Sequence, residues 1–297
     1  MFKNPLWMGR SGRRHQALRR AFNGRMQIAA FFLALLTAIA PSAQALRPER
    51  IVSTNLCTDQ LLLRLVEPAR IAAVSNLAAD PVLSTVADQA RAIAKNGARA
   101  EEIVPLKPDL VLANAWTGAK ANHFLKGLGI EVLVVPDPSS FKDVEANLQL
   151  LGRALKEEDR AQALIQTMWR ELGSIPKRGQ PLRTLIYEPI GYSPSRGTFS
   201  DDVLARAGLT NIAPELGVTN YGAVSLERVV LAKPDLLIFD DHAPSAASRA
   251  QALLHHPALK TVAAKAQVDW MPAKLWLCAG PWSVEAVARL ARIERRP

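Results

Sequence analysis

One twelve-residue pattern occurs twice in this chain of 297 residues, once in each half. Residues 101–112 read EEIVPLKPDLVL and residues 227–238 read ERVVLAKPDLLI, so six of the twelve positions are identical. Each copy predicts a short helix, a Lys-Pro-Asp turn and a buried strand, because Pro108 and Pro234 fix φ and end the preceding helix. The repeat therefore predicts two lobes of similar architecture, with a cleft between them where a small ligand can bind.

Short β-branched and leucine-rich runs alternate with helical patterns around both copies, which is typical of parallel α/β structure. Between residues 140 and 172 the helical pattern is long, with a charged restart at Glu157-Glu158-Asp159. We therefore predict an α/β fold of two lobes with parallel-type sheets joined by one long linker helix. The predicted bounds are 46–156 for the N-terminal lobe, 157–175 for the linker helix and 176–297 for the C-terminal lobe. The predicted strands are 50–53, 70–75, 109–113, 130–135, 182–188, 235–240 and 267–271.

The first 45 residues have the pattern of a secretory signal peptide. Seven Lys or Arg and no Asp or Glu precede or flank an apolar run of thirteen residues, 28–40, and the segment ends in Ala43-Gln44-Ala45. Cleavage after Ala45 is expected, by the general or the twin-arginine route, and translation could start at Met1 or Met26. The apolar run is too short to span a bilayer, and no lipid-accepting cysteine follows it, so we predict a soluble periplasmic protein.

Removal of this segment changes the charge of the chain. It contains seven of the 37 basic residues and none of the 27 acidic ones, so the remaining 252 residues hold 30 against 27, a formal charge of +3. The high pI of the whole chain thus reflects the leader, and nucleic-acid binding is not indicated.

No catalytic motif is present. Residues 191–195 read GYSPS and lack the final glycine of a nucleophile elbow, and there is no H-E-x-x-H, C-x-x-C or phosphate-binding loop. The histidines and carboxylates form no clear ligand set for a bare metal ion. We therefore predict a binding protein without cofactor rather than an exported hydrolase, and treat a haem or metal-ion carrier as the alternative.

Open α/β sheets bind ligands at the carboxyl ends of their strands, so the loops that follow the predicted strands are the candidate site. Aromatic side chains there suit a large, flat, partly polar ligand, and Arg196 could pair with a ligand carboxylate or phosphate. The predicted ligand-binding residues are Asn55, Cys57, Trp116, Tyr192, Arg196, His242, Trp276, Cys278 and Trp282.

Cys57 and Cys278 are the only cysteines, and both fall in predicted cleft loops, one in each lobe. A disulfide between them would require Cα atoms near 5.5 Å and would fasten the lobes together. Sulfur ligation of a haem or metal is a second possibility. Two half-buried thiols are the commonest state of such residues.

Four segments resemble the periplasmic binding proteins of ABC importers for cobalamin, ferric siderophores and haem. They are RIVSTNLCTDQLLL from Arg50, AEEIVPLKPDLVLA from Ala100, GTFSDDVLARAGLTNIAPELG from Gly197 and the second repeat with its preceding Val-Ser. The resemblance covers residues 46–295 and implies two lobes linked by one rigid helix, with an inner-membrane ABC permease as partner and a corrinoid or iron chelate as ligand. It further implies that a glutamate of each lobe, Glu101 and Glu227, docks on permease arginines. The protein is expected to be a monomer.

Overall fold

The computed structural model describes residues 47–116, 118–176, 179–241, 256–257, 259, 262 and 266–294. The predicted signal peptide with its cleavage point lies outside the described residues. Within the described part, no helix combines the length and the apolar character needed to cross a membrane.

The first sheet is parallel throughout, with strand order β3-β2-β1-β4-β5. Its strands are β1 (Ile51–Ser53), β2 (Ile71–Ser75), β3 (Lys95–Asn96), β4 (Leu110–Asn114) and β5 (Val132–Val135).

The second sheet is also parallel and repeats the first, because its order β8-β6-β10-β11 corresponds to β2-β1-β4-β5. A separate antiparallel pair, β7 with β9, lies next to it. The strands are β6 (Arg183–Tyr187), β7 (Tyr192–Pro194), β8 (Thr210–Asn211), β9 (Tyr221–Ala223), β10 (Leu236–Asp241) and β11 (Gln267–Pro272). The predicted α/β class with parallel sheets is confirmed.

Nine α-helices lie within the described residues, joined by short 3-10 turns. They are α1 (Leu56–Leu65), α2 (Ala87–Ala90), α3 (Ala100–Ile103), α4 (Ala119–Gly127), α5 (Phe141–Leu155), α6 (Glu158–Ser174), α7 (Phe199–Arg206), α8 (Leu226–Ala232) and α9 (Val284–Ala291).

The long helical pattern forms two helices rather than one. α5 ends at Leu155 because Lys156 adopts a left-handed conformation (φ 57°), and α6 begins two residues later. The two helices pack closely at Gly152, where an added Cβ would lie 2.8 Å from the Cβ of Ala161. α6 occupies the segment predicted as the linker helix, between the last strand of the first sheet and the first strand of the second.

Each sheet separates two layers of apolar side chains, as alternation along a strand requires. Ile51 of β1 and Ile186 of β6 face one central cluster, which also contains the buried faces of α1, α5, α6, α7 and α9. Val52 and Leu185, their neighbours in sequence, face away into a separate outer cluster for each sheet. Because side chains of both sheets share the central cluster, the two lobes are packed against each other as well as joined by the chain.

The repeat builds the same junction in both lobes. Lys107 and Lys233 adopt the left-handed conformation with φ values of 48° and 46°, so that the chain turns from the short helix into β4 or β10. The following aspartate accepts the backbone N–H at the start of the neighbouring strand: Asp109 from Arg50 at 3.1 Å, and Asp235 from Arg183 at 2.9 Å.

Both arginines complete this junction with their guanidinium groups. Arg50 Nη2 donates to the carbonyl of Leu106 at 2.6 Å, and Arg183 Nη2 donates to that of Ala232 at 3.3 Å. Each arginine thereby caps the carboxyl end of the short helix of its own lobe. We call this four-part arrangement of arginine, capped carbonyl, left-handed lysine and aspartate the lobe junction.

Candidate functional site

A cavity of about 160 Å³ lies where the carboxyl ends of strands from both sheets meet. The first lobe supplies the loops after β1, β4 and β5 with the inner face of α5, and the second lobe supplies the start of α7 and the loop after β11. Its lining residues are Asn55, Cys57, Thr58, Leu61, Asn114, Val135, Pro136, Asp137, Pro138, Asn147, Phe199, Trp276, Leu277 and Ala279. Of the predicted binding residues, the structure brings Asn55, Cys57 and Trp276 together here.

A disulfide joins the lobes beside this cavity. The Cα atoms of Cys57, in the first turn of α1, and Cys278, in the loop after β11, are 5.0 Å apart, and the cysteines are 221 positions apart in sequence. The expectation of two thiols as the commonest state is wrong for this pair, since the chain has two cysteines and neither is free. In this state neither sulfur is a thiolate that could bind haem or a metal.

The amide side chains of the cavity are held by the backbone. Asn55 is the N-cap of α1, and its Oδ1 accepts from the backbone N–H of Cys57 at 2.9 Å. Asn147 donates its Nδ2 to the carbonyl of Pro136 at 2.8 Å and is 5% exposed. Asn114 Oδ1 accepts from the backbone N–H of Trp116 at 3.2 Å. These contacts fix three amides around one small space.

Trp116 lies on the rim of the first lobe. Its side chain is 80% exposed, and the indole Nε1 donates a hydrogen bond to the carboxylate of Asp137. Asp137 in turn lines the cavity. An exposed indole held at the mouth of a cavity can stack on a flat ligand.

The two other predicted tryptophans differ from Trp116. Trp276 is 6% exposed and belongs to the central cluster as well as to the cavity lining. Trp282 does not line the cavity, because its ring packs under the guanidinium of Arg64, 4.3 Å from the ring centre. It also covers Gly280, where an added Cβ would lie 2.3 Å from the ring. The structure thus places Trp282 in the packing between α1 and the loop after β11.

The second lobe has an aromatic pair at the carboxyl edge of its sheet, and only one of its two members, Tyr192, was predicted from the sequence. Tyr192 of β7 stacks on Tyr221 of β9 with ring centres 5.3 Å apart, and the Tyr221 hydroxyl donates to the carboxylate of Glu188. Burial raises the pKa of Glu188 above its usual range. The pKa of the Tyr221 hydroxyl is also raised, mainly by burial and secondly by the hydrogen bond to Glu188. Tyr221 was missed because only the three-residue pairing of β7 with β9 brings it to Tyr192, and the role of Glu188 as its acceptor depends on that pairing.

The remaining predicted residues are Arg196 and His242. Arg196 is exposed and is not among the lining residues. His242 lies outside the described residues. Within the described part of the chain, no group of three or more His, Cys, Asp or Glu side chains is arranged to hold a metal ion.

A buried carboxylate, Asp59, follows the cavity-lining Thr58 in α1. Asp59 of α1 is fully buried and accepts hydrogen bonds from the backbone N–H of Ser75, at 3.1 Å, and from its hydroxyl. Burial raises the pKa of Asp59 to about 6, against these hydrogen bonds. Asn96 Nδ2 donates to the carbonyls of Ser53 and Val74, at 2.9 and 3.0 Å, so the ends of β1, β2 and β3 are tied together. Asp59 lies in the first turn of α1, which begins at Leu56.

The two predicted docking glutamates occupy equivalent places. Glu101 lies in the first turn of α3 and Glu227 in the first turn of α8, and both are exposed. The backbone N–H of Glu227 itself and the Ser225 hydroxyl lower the pKa of the Glu227 carboxyl. Both positions precede the left-handed lysine of their lobe junction by six residues.

Known proteins resemble this chain in sequence. A family model described as "Periplasmic binding protein" matches residues 51–268. A Bacillus subtilis protein described as an uncharacterized ABC transporter substrate-binding lipoprotein is 27% identical over 126 residues, which is 39% of this chain and 40% of that relative. The match therefore spans about two fifths of the relative's length.

Solved structures resemble it over a greater length. The apo form of a periplasmic haem-binding protein from Roseiflexus sp. RS-1 has a TM-score of 0.70 and 22% identity, over 82% of this chain and 96% of the other. The periplasmic vitamin B12-binding protein of Vibrio cholerae has a TM-score of 0.58 and 21% identity, over 82% and 96%. At these identities the likeness shows a shared fold.

Proposed function

Because this chain belongs to the periplasmic binding protein family, we propose that it is the solute-binding component of an ABC importer that binds a corrinoid or an iron chelate between its lobes. The observation that carries the proposal is the cavity at the carboxyl ends of strands from both sheets, with an exposed indole at its mouth. Open α/β sheets use this edge for ligands. The bound solute would be handed to an inner-membrane permease.

The cavity of about 160 Å³ is smaller than the usual site of a drug-sized ligand, which occupies roughly 300–1,000 Å³. Only one edge of a corrinoid or chelate would therefore enter the cavity. The rest of the ligand would contact the aromatic side chains of Trp116 and Tyr192 outside it. The disulfide between Cys57 and Cys278 limits how far the lobes can separate to admit it.

A haem or bare-metal carrier is the second candidate. The similarity in fold to the haem-binding protein of Roseiflexus favours it, but the two cysteines form a disulfide with each other. An exported hydrolase would need a nucleophile and a base within hydrogen-bond distance in this cavity. The described residues of its lining include Thr58 and Asp137 but no histidine, so an exported hydrolase is the third candidate.

We further propose that the mature protein is a periplasmic monomer without a lipid anchor. The Bacillus subtilis relative is described as a lipoprotein, and lipid attachment in such proteins uses a cysteine near the mature start. In this chain both cysteines are occupied by the disulfide, so neither is available for a thioether.

Glu101 and Glu227 are proposed to dock on the permease by charge-assisted pairing with arginines. Their exposure and their matching places in the two lobes support this role. Such exposed charges influence encounter and register more than ligand affinity.

A reconstituted importer tests both the function and the docking. Wild-type protein should stimulate ATP hydrolysis by its cognate permease in proteoliposomes, whereas Glu101→Ala with Glu227→Ala should bind ligand and unfold like wild type without stimulating. Asp88→Ala, which removes a carboxylate that is 89% exposed on α2, should stimulate normally and serves as the control. Failure of the wild type to stimulate would refute the importer function, and normal stimulation by the double variant would refute the docking role alone.

A further inference from the structure

The cavity has an uneven chemical character. Its polar groups are the amides of Asn55, Asn114 and Asn147, the hydroxyl of Thr58 and the carboxylate of Asp137, and the remaining lining is apolar. Among these lining residues the one formal charge is therefore negative, and no Lys, Arg or His takes part.

The described strand-end loops contain three basic residues, Arg99, Arg196 and Lys274. Arg99 and Arg196 are exposed, Lys274 is half-buried, and none of the three is among the lining residues of the cavity. Arg64 is directed elsewhere, because its guanidinium packs on Trp282 and donates to the carbonyl of Gln60 at 2.8 Å and to the Thr85 hydroxyl at 2.7 Å.

The second lobe adds carboxylates at the same edge. Asp240 of β10 is the counterpart of Asn114 in the repeat, 126 positions later, and is 5% exposed. Glu188 follows β6 and accepts from Tyr221. The charges of Glu188 and Asp240 both raise the pKa of Tyr221. The carboxyl ends of β5, β6 and β10 thus present Asp137, Glu188 and Asp240.

A ligand rich in carboxylates fits this lining poorly. Binding there would remove water from its charges and bring them toward the carboxylate of Asp137, and both steps cost free energy. Haem has two propionates, and carboxylate siderophores keep a negative charge when they bind iron. A trihydroxamate chelate of Fe³⁺ has no net charge at its centre, and a corrinoid presents amides that match asparagine side chains.

We propose that the ligand of this cleft is a neutral or cationic, amide- or hydroxamate-bearing compound, and that Asp137 is the residue that discriminates against negative charge. This rests on the proposed function, because it specifies the ligand class for the same site. Asp137 acts as a specificity residue at the mouth, where Trp116 holds its carboxylate.

A matched series of ligands isolates the charge. Ferrioxamine B bears one positive charge on its terminal amine, its N-acetyl derivative is neutral and its N-succinyl derivative is negative, while the iron centre is unchanged. Cyanocobalamin and its monocarboxylic acid form a second pair on another scaffold, and haemin is the dicarboxylate probe. Quenching of tryptophan fluorescence at low salt gives each dissociation constant with the oxidised, leaderless protein.

The expected order of affinity is cationic, neutral and then anionic, with roughly a three- to tenfold loss per unit charge, which weakens as salt is added. Asp137→Asn should reduce the differences in affinity between the cationic, neutral and anionic ligands. The control Asp88→Asn should leave these differences unchanged. Tighter binding of the anionic members or of haemin, or an unchanged order in Asp137→Asn, would overturn the ligand class. If no member of either series and no haemin binds, the solute-binding function itself fails, and this result is distinct from a reversed order.

Discussion

The two lobes are alike at one edge of their sheets and unlike at the other. At the amino edge, the lobe junctions repeat nearly atom for atom: Asp109 and Asp235 accept from the first strand of each sheet, and Arg50 and Arg183 cap the short helices. The junctions lie away from the cavity and set the angle between helix and strand.

At the carboxyl edge the lobes use different chemistry. The first lobe ties its strand ends with Asp59, Ser75 and Asn96. The second lobe uses phenols: the buried Tyr187 donates to the carbonyl of Val224 at 3.2 Å, and Tyr221 donates to Glu188. The amino edge therefore has the same structure in both lobes, and we call it the common frame. The carboxyl edge differs between the lobes, as expected of a surface that contacts ligand.

The disulfide is the strongest single link between the unlike edges, so its removal is expected to have the largest effect. Cys57→Ser with Cys278→Ser should lower the free energy of unfolding by about 2–5 kcal/mol, because the closed loop of 221 positions restricts the unfolded chain. Urea unfolding of the oxidised protein and of the double variant measures this difference. Unfolding should remain a single transition, since the central cluster holds side chains of both lobes.

Reduced wild-type protein is the matched control for that experiment and should unfold like the double variant. Equal stability of the oxidised and reduced protein would contradict the inter-lobe link. Two separate transitions would show instead that the central cluster does not couple the lobes.

The buried carboxylate of the first lobe should give this edge a pH dependence. Burial raises the pKa of Asp59 from 3.8 to about 6, while Lys95 and the serine hydrogen bonds oppose the shift. Between about pH 4 and 6 the folded state therefore binds a proton that the unfolded state does not. The contribution of Asp59 is most favourable below pH 4 and is lost as the pH rises through 6, by about 3 kcal/mol in total.

Asp59→Asn tests this contribution, since the amide keeps an acceptor for the N–H of Ser75 and cannot ionise. The change in its free energy of unfolding from pH 4.5 to pH 7.5 should be more favourable than that of wild type by about 2 kcal/mol, the part of the loss that falls above pH 4.5. In Asp59→Asn the free energy of unfolding should still fall slightly as the pH rises, because burial also raises the pKa of Glu188. If wild type and Asp59→Asn have the same pH profile, the carboxylate is not buried as described.

Much of the common frame could be predicted from the sequence, because local signals determine it. Hydrophobic runs located the long strands, and Lys-Pro-Asp located both junctions. The charged restart at Glu157-Glu158-Asp159 indicated where α6 begins, but not how α5 ends, because Lys156 takes the left-handed conformation without glycine and the contact of Gly152 with Ala161 is tertiary.

The unlike edge was much less predictable. An acidic residue in a helix is usually exposed, so nothing local identified Asp59 as buried. The partners of Cys57 and Tyr192 are distant in sequence and are known only once the fold brings them together. Sequence could therefore indicate the loops that form the site, but not the contacts within them.

The smallest expected effect concerns the edge that the lobes share. Asp109→Ala removes the acceptor for the backbone N–H groups of Glu49 and Arg50, at 2.7 and 3.1 Å, and Asp235→Ala removes the acceptor for that of Arg183. Each substitution should cost about 1–2 kcal/mol of unfolding free energy, the usual range for a lost cap or hydrogen bond. Since the sites lie in different sheets with no shared partner, the losses should add to within about 0.5 kcal/mol. Urea unfolding of the two single variants and the double variant measures this, and ligand affinity should stay at the wild-type value in all three. A loss confined to one lobe would show that the repeated junction stabilises only one of them, and a change in affinity would show that the frame and the ligand edge are not independent.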